Sequence, residues 1–222
     1  MAQAFSVLQK DLLIESRTGE VVVTSGFFAL LVVVLASMSF SKAQANPHVV
    51  ASGVIWLSVA FAAVLALGKT WQREREEGAL DGLLVAPLSR SAIFMGKALG
   101  VFLFLIAIEA VVIPLAALLF ALDLTEVGPG LLLIALATTP GVAASGTLFG
   151  SMTVRTQARD LMLATVLFPL LAPTLLAAVA GSRELLDGAP LAELFDYLKL
   201  MFVFDIVFIS GGLVLFETLI ER

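Results

Sequence analysis

Six runs of about twenty apolar residues set the terms for this chain. A helix needs about 20 such residues to cross the hydrocarbon core of a bilayer. The runs at 21–40, 49–67, 92–122, 130–150, 161–180 and 200–220 all qualify. None alternates apolar with polar residues as the strands of a membrane barrel do. Backbone amides inside a bilayer must find partners within the protein, which leaves the helix as the form each run can take. The expected fold is therefore all-α and polytopic, a single transmembrane domain over 1–222. Composition agrees: the chain is 60% hydrophobic and 14% charged, with a mean hydropathy of +1.05, which excludes an ordinary soluble domain. It has no cysteine, so disulfides, thiol chemistry and haem attachment through C-x-x-C-H are excluded. A net charge of −5 without a basic stripe argues against nucleic acid.

The first apolar run is not a signal peptide, because twenty residues of mixed charge precede it and no small-residue cleavage pattern follows; the chain is expected to be uncleaved. Orientation follows from the basic residues. With the N-terminus in the cytoplasm, ten of the thirteen Lys and Arg fall on the inner side; only Lys42, Arg183 and Lys199 fall outside. Both termini and the loop from 69 to 91 are then cytoplasmic.

That loop holds the most patterned polar segment of the chain, Trp71–Pro87. Arg73, Glu74, Arg75, Glu76 and Glu77 come first, then Gly78, then Leu80, Leu83, Leu84 and Pro87 at the spacing of one helix face. Five consecutive charges are too costly in hydrocarbon, and Arg73 and Glu77 are spaced for an i, i+4 pair. The expectation is a short amphipathic helix, exposed to water and suited to docking a partner. No G-x-x-x-x-G-K-[ST] phosphate loop exists in the chain, so any ATP would be bound by another subunit. The second inner loop, with Arg155 and Arg159, is too short for a domain and reads as an orientation signal.

Residues 3–18 read as an interfacial amphipathic helix, with Phe5, Leu8 and Leu12 on one side and Gln9, Lys10 and Glu15 elsewhere. The 92–122 run is longer than a bilayer requires, which implies tilt or a break near Glu109 and Pro114. The fourth run carries small-xxx-small pairs, Gly141/Ser145 and Gly146/Gly150, that permit close helix approach within or between chains. Pro169 and Pro173 predict a kink in the fifth. Between the last two runs, Leu191, Leu194, Phe195 and Leu198 define a short external amphipathic helix.

Glu109 is the ionisable residue placed deepest in a span, a functional candidate whose structural alternative is a hydrogen bond to a neighbouring helix near Thr138 and Thr139. Asp205, closer to the outer end of the last run, is expected to reach the headgroups. Haem ligation calls for His, Met, Cys or Tyr. The lone His48 sits in an external loop and Tyr197 is the only tyrosine, so the residues define no cofactor site and no metal site.

The order E-R-E-x-G-A-L-x-x-L-L-x-x-P at 74–87, with Lys97 at the head of the next span, resembles the coupling segment of ABC-2-type (type V exporter-like) permeases. Four stretches, at 8–20, 51–100, 161–178 and 204–221, are together similar to the CcmB family of cytochrome c maturation, also called haem exporter protein B. The resemblance implies a non-catalytic, six-span permease subunit in a bacterial inner membrane. It implies a separate CcmA-like ATPase docked through Trp71–Pro87, further CcmC-, CcmD- and CcmE-like partners, and a homodimer within the complex. ATP would lie in the partner, where its hydrolysis would drive release of the haem-loaded CcmE-like chaperone in preference to direct haem export, and haem would be handled by the complex rather than held as a cofactor of this chain. The tryptophan-rich haem-handling motif of CcmC is absent. The alternative is an ABC-2-type exporter permease for a lipid, drug or glycan. A secondary transporter would need more mid-membrane carboxylates, and a membrane scaffold would leave the patterned loop without a purpose.

Overall fold

The computed structural model describes residues 2–40, 46–76, 82, 85–153 and 159–220, the side chains of 75, 76, 153, 159–164, 219 and 220 excepted. Among these the protein forms seven α-helices: α1 (Ala2–Thr18), α2 (Glu20–Phe40), α3 (Pro47–Glu76), α4 (Arg90–Leu119), α5 (Leu124–Thr153), α6 (Arg159–Leu186) and α7 (Phe195–Ile220). Helices α2 to α7 are each long and apolar enough to cross a membrane. They run up and down as a bundle. The shared end of α2, α3 and α4 that meets α1 is rich in charge and is called the charged end below.

Local chemistry explains the corners. Gly19, at φ 62°, supplies the left-handed residue that ends α1 and turns the chain into α2. Asn46 starts α3: its side chain accepts from the His48 N–H at 3.0 Å, and Pro47 takes the first helical position, where a missing N–H costs nothing. Ser89 caps α4 by accepting from Ala92 N–H, and Asp123 caps α5 through Thr125 N–H at 3.0 Å.

Most spans outrun the apolar runs. Helix α3 continues from the second run through Trp71–Glu76, so the first part of the charged stretch is the end of a span rather than the start of a separate helix. The other residues of that stretch expected to dock a partner, Glu77, Gly78, Leu80, Leu83 and Leu84, lie outside the described residues, as does Arg155. Helix α4 is unbroken through Glu109 and Pro114, and α6 continues through Pro169 and Pro173. The external segment is a single 3₁₀ turn, Leu191–Leu194, that leads straight into α7 instead of forming a helix of its own.

The small residues of α5 pack within the chain. A Cβ on Gly141 would collide with Phe204 and Asp205 of α7; on Gly146, with Leu67 of α3; on Gly150, with Trp71 of α3. Without a hydrophobic drive between helices in lipid, such contact geometry is what holds spans together. Two apolar clusters result. The larger runs through the bundle around Ile55, Trp56, Leu105, Leu131 and Leu167. The smaller lies at the charged end and joins Trp71, Ile93, Phe94, Leu148 and Phe216. Trp56 donates to Ser182 Oγ at 2.8 Å, fastening α3 to α6. By contrast α2 and α7 expose long apolar faces, including Phe27, Leu35, Phe202 and Val214, to the surrounding lipid.

Gly212 faces the Phe94 ring so closely that any Cβ there overlaps it. Gly212→Leu is expected to lower the unfolding free energy by about 1–3 kcal/mol, the range for overpacking. Gly53→Leu, where a Cβ meets nothing within 4 Å, is expected to stay within about 0.5 kcal/mol of wild type. Thermal unfolding in detergent micelles measures both.

Candidate functional site

The charged end is assembled from four helices. Lys97, about two turns into α4, is 1% exposed. An ammonium so placed requires anionic partners, since desolvation of a bare charge is prohibitive. It has two: Asp11 of α1, with Oδ1 at 3.0 Å and Oδ2 at 2.9 Å, and Glu74 of α3, in direct contact through Oε1. Lys10 of α1 reaches the same Glu74 oxygen at 2.8 Å. Burial works against the Lys10 charge, but Asp11 and Glu74 outweigh it and hold its pKa above the ordinary value.

A second group of charges lies alongside. Arg73 Nη2 donates to Glu20 Oε2 at 2.9 Å and to Thr18 Oγ1 at 3.0 Å, and Lys69 reaches Glu20 Oε1 at 3.2 Å. Glu15 is buried and accepts from the Val21 and Val22 N–H groups at 3.2 and 2.8 Å, so its carboxylate caps the N-terminus of α2. Gln3 completes the set: its amide donates to Pro87 O at 3.2 Å, and its Oε1 accepts from Ser89 N–H at 3.3 Å.

These positions change the reading of several predicted residues. Arg73 pairs with Glu20, while its expected partner Glu77 lies outside the described residues, and Glu74 is 3% exposed rather than presented to water. Trp71 is buried in the smaller apolar cluster. Arg75 and Glu76 belong to the last turn of α3, with side chains outside the described set. Pro87 is exposed, two residues before the cap of α4, and Val85 projects 88% exposed. The N-terminal helix also differs from expectation. Leu8 is buried with Ala4, Val7, Asp11 and Glu15 on the face that meets α4 and α3, while Phe5, Leu12 and Leu13 point away. Sequence reading missed Asp11, Glu15 and Glu20; the signal available was the surplus of acids in residues 11–20 opposite the cations of 69–75.

Within the membrane region Glu109 is 2% exposed. Its Oε1 lies 2.8 Å from Thr139 Oγ1, which in turn lies 2.7 Å from Ala135 O. The one threonine hydroxyl thus bridges the Glu109 carboxyl of α4 and the Ala135 carbonyl of its own helix. The other carboxyl oxygen, Oε2, has no partner among the described residues, and Glu109 is one of the residues lining a cavity of about 200 Å³ between α4 and α5. Asp205 is buried against Gly141 rather than free to reach headgroups. A groove of about 540 Å³ between α3 and α6 is lined by Phe40, Trp56, Phe168 and aliphatic side chains. At the end of the bundle opposite α1, His48 Nδ1 pairs with Asp187 Oδ1 at 3.0 Å. Tyr197 is half-buried beside Gly181. Among the described residues no cluster of His, Asp and Glu is arranged to hold a metal ion.

Lys97→Met leaves Asp11 and Glu74 buried with only the exposed-side Lys10 to compensate. A loss of about 3–5 kcal/mol in unfolding free energy is expected, as for one partner removed from a buried ion pair. The triple change Lys97→Met/Asp11→Asn/Glu74→Gln should recover much of it, as chemical unfolding in mixed micelles will show. Glu109→Gln keeps both a donor and an acceptor toward Thr139 and is expected to be nearly neutral. Glu109→Ala should cost about 1–3 kcal/mol by the same measurement.

Comparison with known proteins matches this arrangement to relatives of similar length. A protein named heme exporter protein B from Bradyrhizobium diazoefficiens is 26% identical over 188 residues, 85% of this chain and 84% of the relative. Proteins of that name from Rhodobacter capsulatus, 29% identical over 196 residues, and Paracoccus denitrificans, 27% over 187, cover 85% and 83% of this chain and 88% and 84% of their own lengths. The profile of the CcmB protein family matches residues 2–211. A six-span bundle whose sequence follows that family over nearly its whole length belongs to it: this chain is a member of the CcmB family.

Proposed function

We propose that this protein is the membrane permease subunit of a haem export system for cytochrome c biogenesis and that it receives a separate ATPase subunit on the segment between α3 and α4. Membership of the CcmB family supports the first part. The observation that supports the second is the bracing of both flanks of that segment. Glu74 is held by Lys97 and Lys10 on one side, and Pro87 and Ser89 are held by Gln3 on the other. A load placed between two fixed flanks is transmitted to the spans instead of being absorbed by a loose loop.

In this reading the charged end faces the cytoplasm, with both chain termini on that side of a bacterial inner membrane. The chain carries no phosphate-binding loop, so hydrolysis takes place on the ATPase and this subunit is non-catalytic. Haem is cargo of the complex, ATP a ligand of the partner. CcmC-, CcmD- and CcmE-like proteins complete the assembly, and two copies of this chain sit over two ATPase subunits. The apolar pattern of Leu80, Leu83 and Leu84 after Gly78 supplies the face that docks, in the manner of a helix laid in a groove.

Co-purification tests the proposal. The tagged chain, expressed with its cognate ATPase, should retain that subunit, and Leu80→Glu/Leu84→Glu should lose most of it while still inserting in the membrane. Retention of the ATPase by the double variant would remove the docking face from consideration. Failure of wild type to retain it would remove the ATPase partnership itself.

A further inference from the structure

Helix α1 touches both flanks of the α3–α4 connection with residues two turns apart. Lys10 binds Glu74 at the end of α3, at 2.8 Å. Gln3 binds Pro87 O at 3.2 Å and Ser89 N–H at 3.3 Å at the start of α4. Seven residues of helix separate the two grips by about 10 Å, a fixed span because a helix is stiff along its axis. Helix α1 is itself seated without play. A Cβ at Gly96 of α4 would lie 2.6 Å from Val7 Cβ and 2.7 Å from Ala4 O, so the two helices are in backbone contact. Asp11 is locked to the buried Lys97.

We infer that α1 is a clasp that sets the distance and orientation of the two ends of the docking segment, with Gln3 as the positioning residue at its open end. The inference rests on the docking role proposed above and adds a part to it: an interfacial helix acts on ATPase binding without touching the ATPase through Gln3. The two grips differ in kind. The Lys10–Glu74–Lys97 grip is part of the folded core, and its removal destabilises the protein. The Gln3 grip is exposed and made of neutral hydrogen bonds, so its removal leaves the fold intact and frees only the Pro87–Ser89 flank. Freed, that flank samples orientations that binding must then restrict, and affinity falls by the cost of that ordering.

The test is the affinity of the purified cognate ATPase for this chain in lipid nanodiscs. Gln3→Ala should weaken binding about five- to tenfold, the equivalent of one or two neutral hydrogen bonds, with an unfolding midpoint lowered by no more than about 2–4 °C. Gln9→Ala, exposed on the same helix, should bind as wild type. The chain has no native cysteine, so Gln3→Cys/Ser89→Cys can be bridged selectively by a short thiol-reactive cross-linker. The unbridged pair should bind weakly and the bridged pair should regain most of the affinity. Wild-type binding by Gln3→Ala overturns the clasp and leaves the docking reading in place. Failure of the bridge to restore affinity to a weakened pair also overturns it. No binding by wild type overturns the docking reading, and the clasp with it.

Discussion

Everything at the charged end follows from the burial of one ammonium. Lys97 sits on a span, out of water, and cannot remain there unless carboxylates are delivered to it. No other residue of α4 within a turn of it is acidic, so the carboxylates come from elsewhere: Asp11 from α1 and Glu74 from α3. That requirement fixes three helices against one another. It also explains why α1, which carries an apolar strip of Phe5, Leu12 and Leu13 suited to the interface, is docked edge-on with its acids turned inward. Glu15 extends the same logic to α2, since a carboxylate at a helix N-terminus is stabilised by the unpaired N–H groups it faces.

Within the membrane a different constraint operates. Lipid offers no hydrophobic reason for helices to associate, so contact area and occasional hydrogen bonds decide the arrangement. Helix α5 answers with small residues aimed at large ones: Gly146 at Leu67, Gly150 at Trp71, Gly141 at Phe204. The Trp71 contact links the two regimes. The same residue closes the small apolar cluster beneath the charges and seats α5 on the last turns of α3.

The six spans were legible because the bilayer imposes a length and forbids unpaired amides, and both conditions are written in local composition. The ends were not legible for the same reason. Past the hydrocarbon, composition no longer dictates structure, and α3 runs on through Trp71–Glu76 because Arg73 and Glu74 find partners inside the protein. Locally, a run of charges signals water. Here part of it is a sign of complementary charge on α1 and α2, more than 50 residues away in the chain, which no local pattern reports. Thr139 as partner of Glu109 was within reach, because a carboxyl in a span must find a polar group and few were offered. His48 with Asp187, 139 residues apart, was not.

Helix α3 then acquires a role that neither end suggests alone. It is a continuous rod of 30 residues, about 45 Å by helical rise. At the charged end it is fastened by Glu74 to α1 and α4; toward the far end it is fastened by Trp56 to Ser182 of α6. Helices in packed bundles shift as units because close packing resists continuous deformation. A displacement applied next to Glu74 would be carried along the rod to its contact with α6, beside which the 540 Å³ groove lies. The proposed docking segment is attached to a span that is anchored at Glu74 and again at Trp56, with the groove around the second anchor.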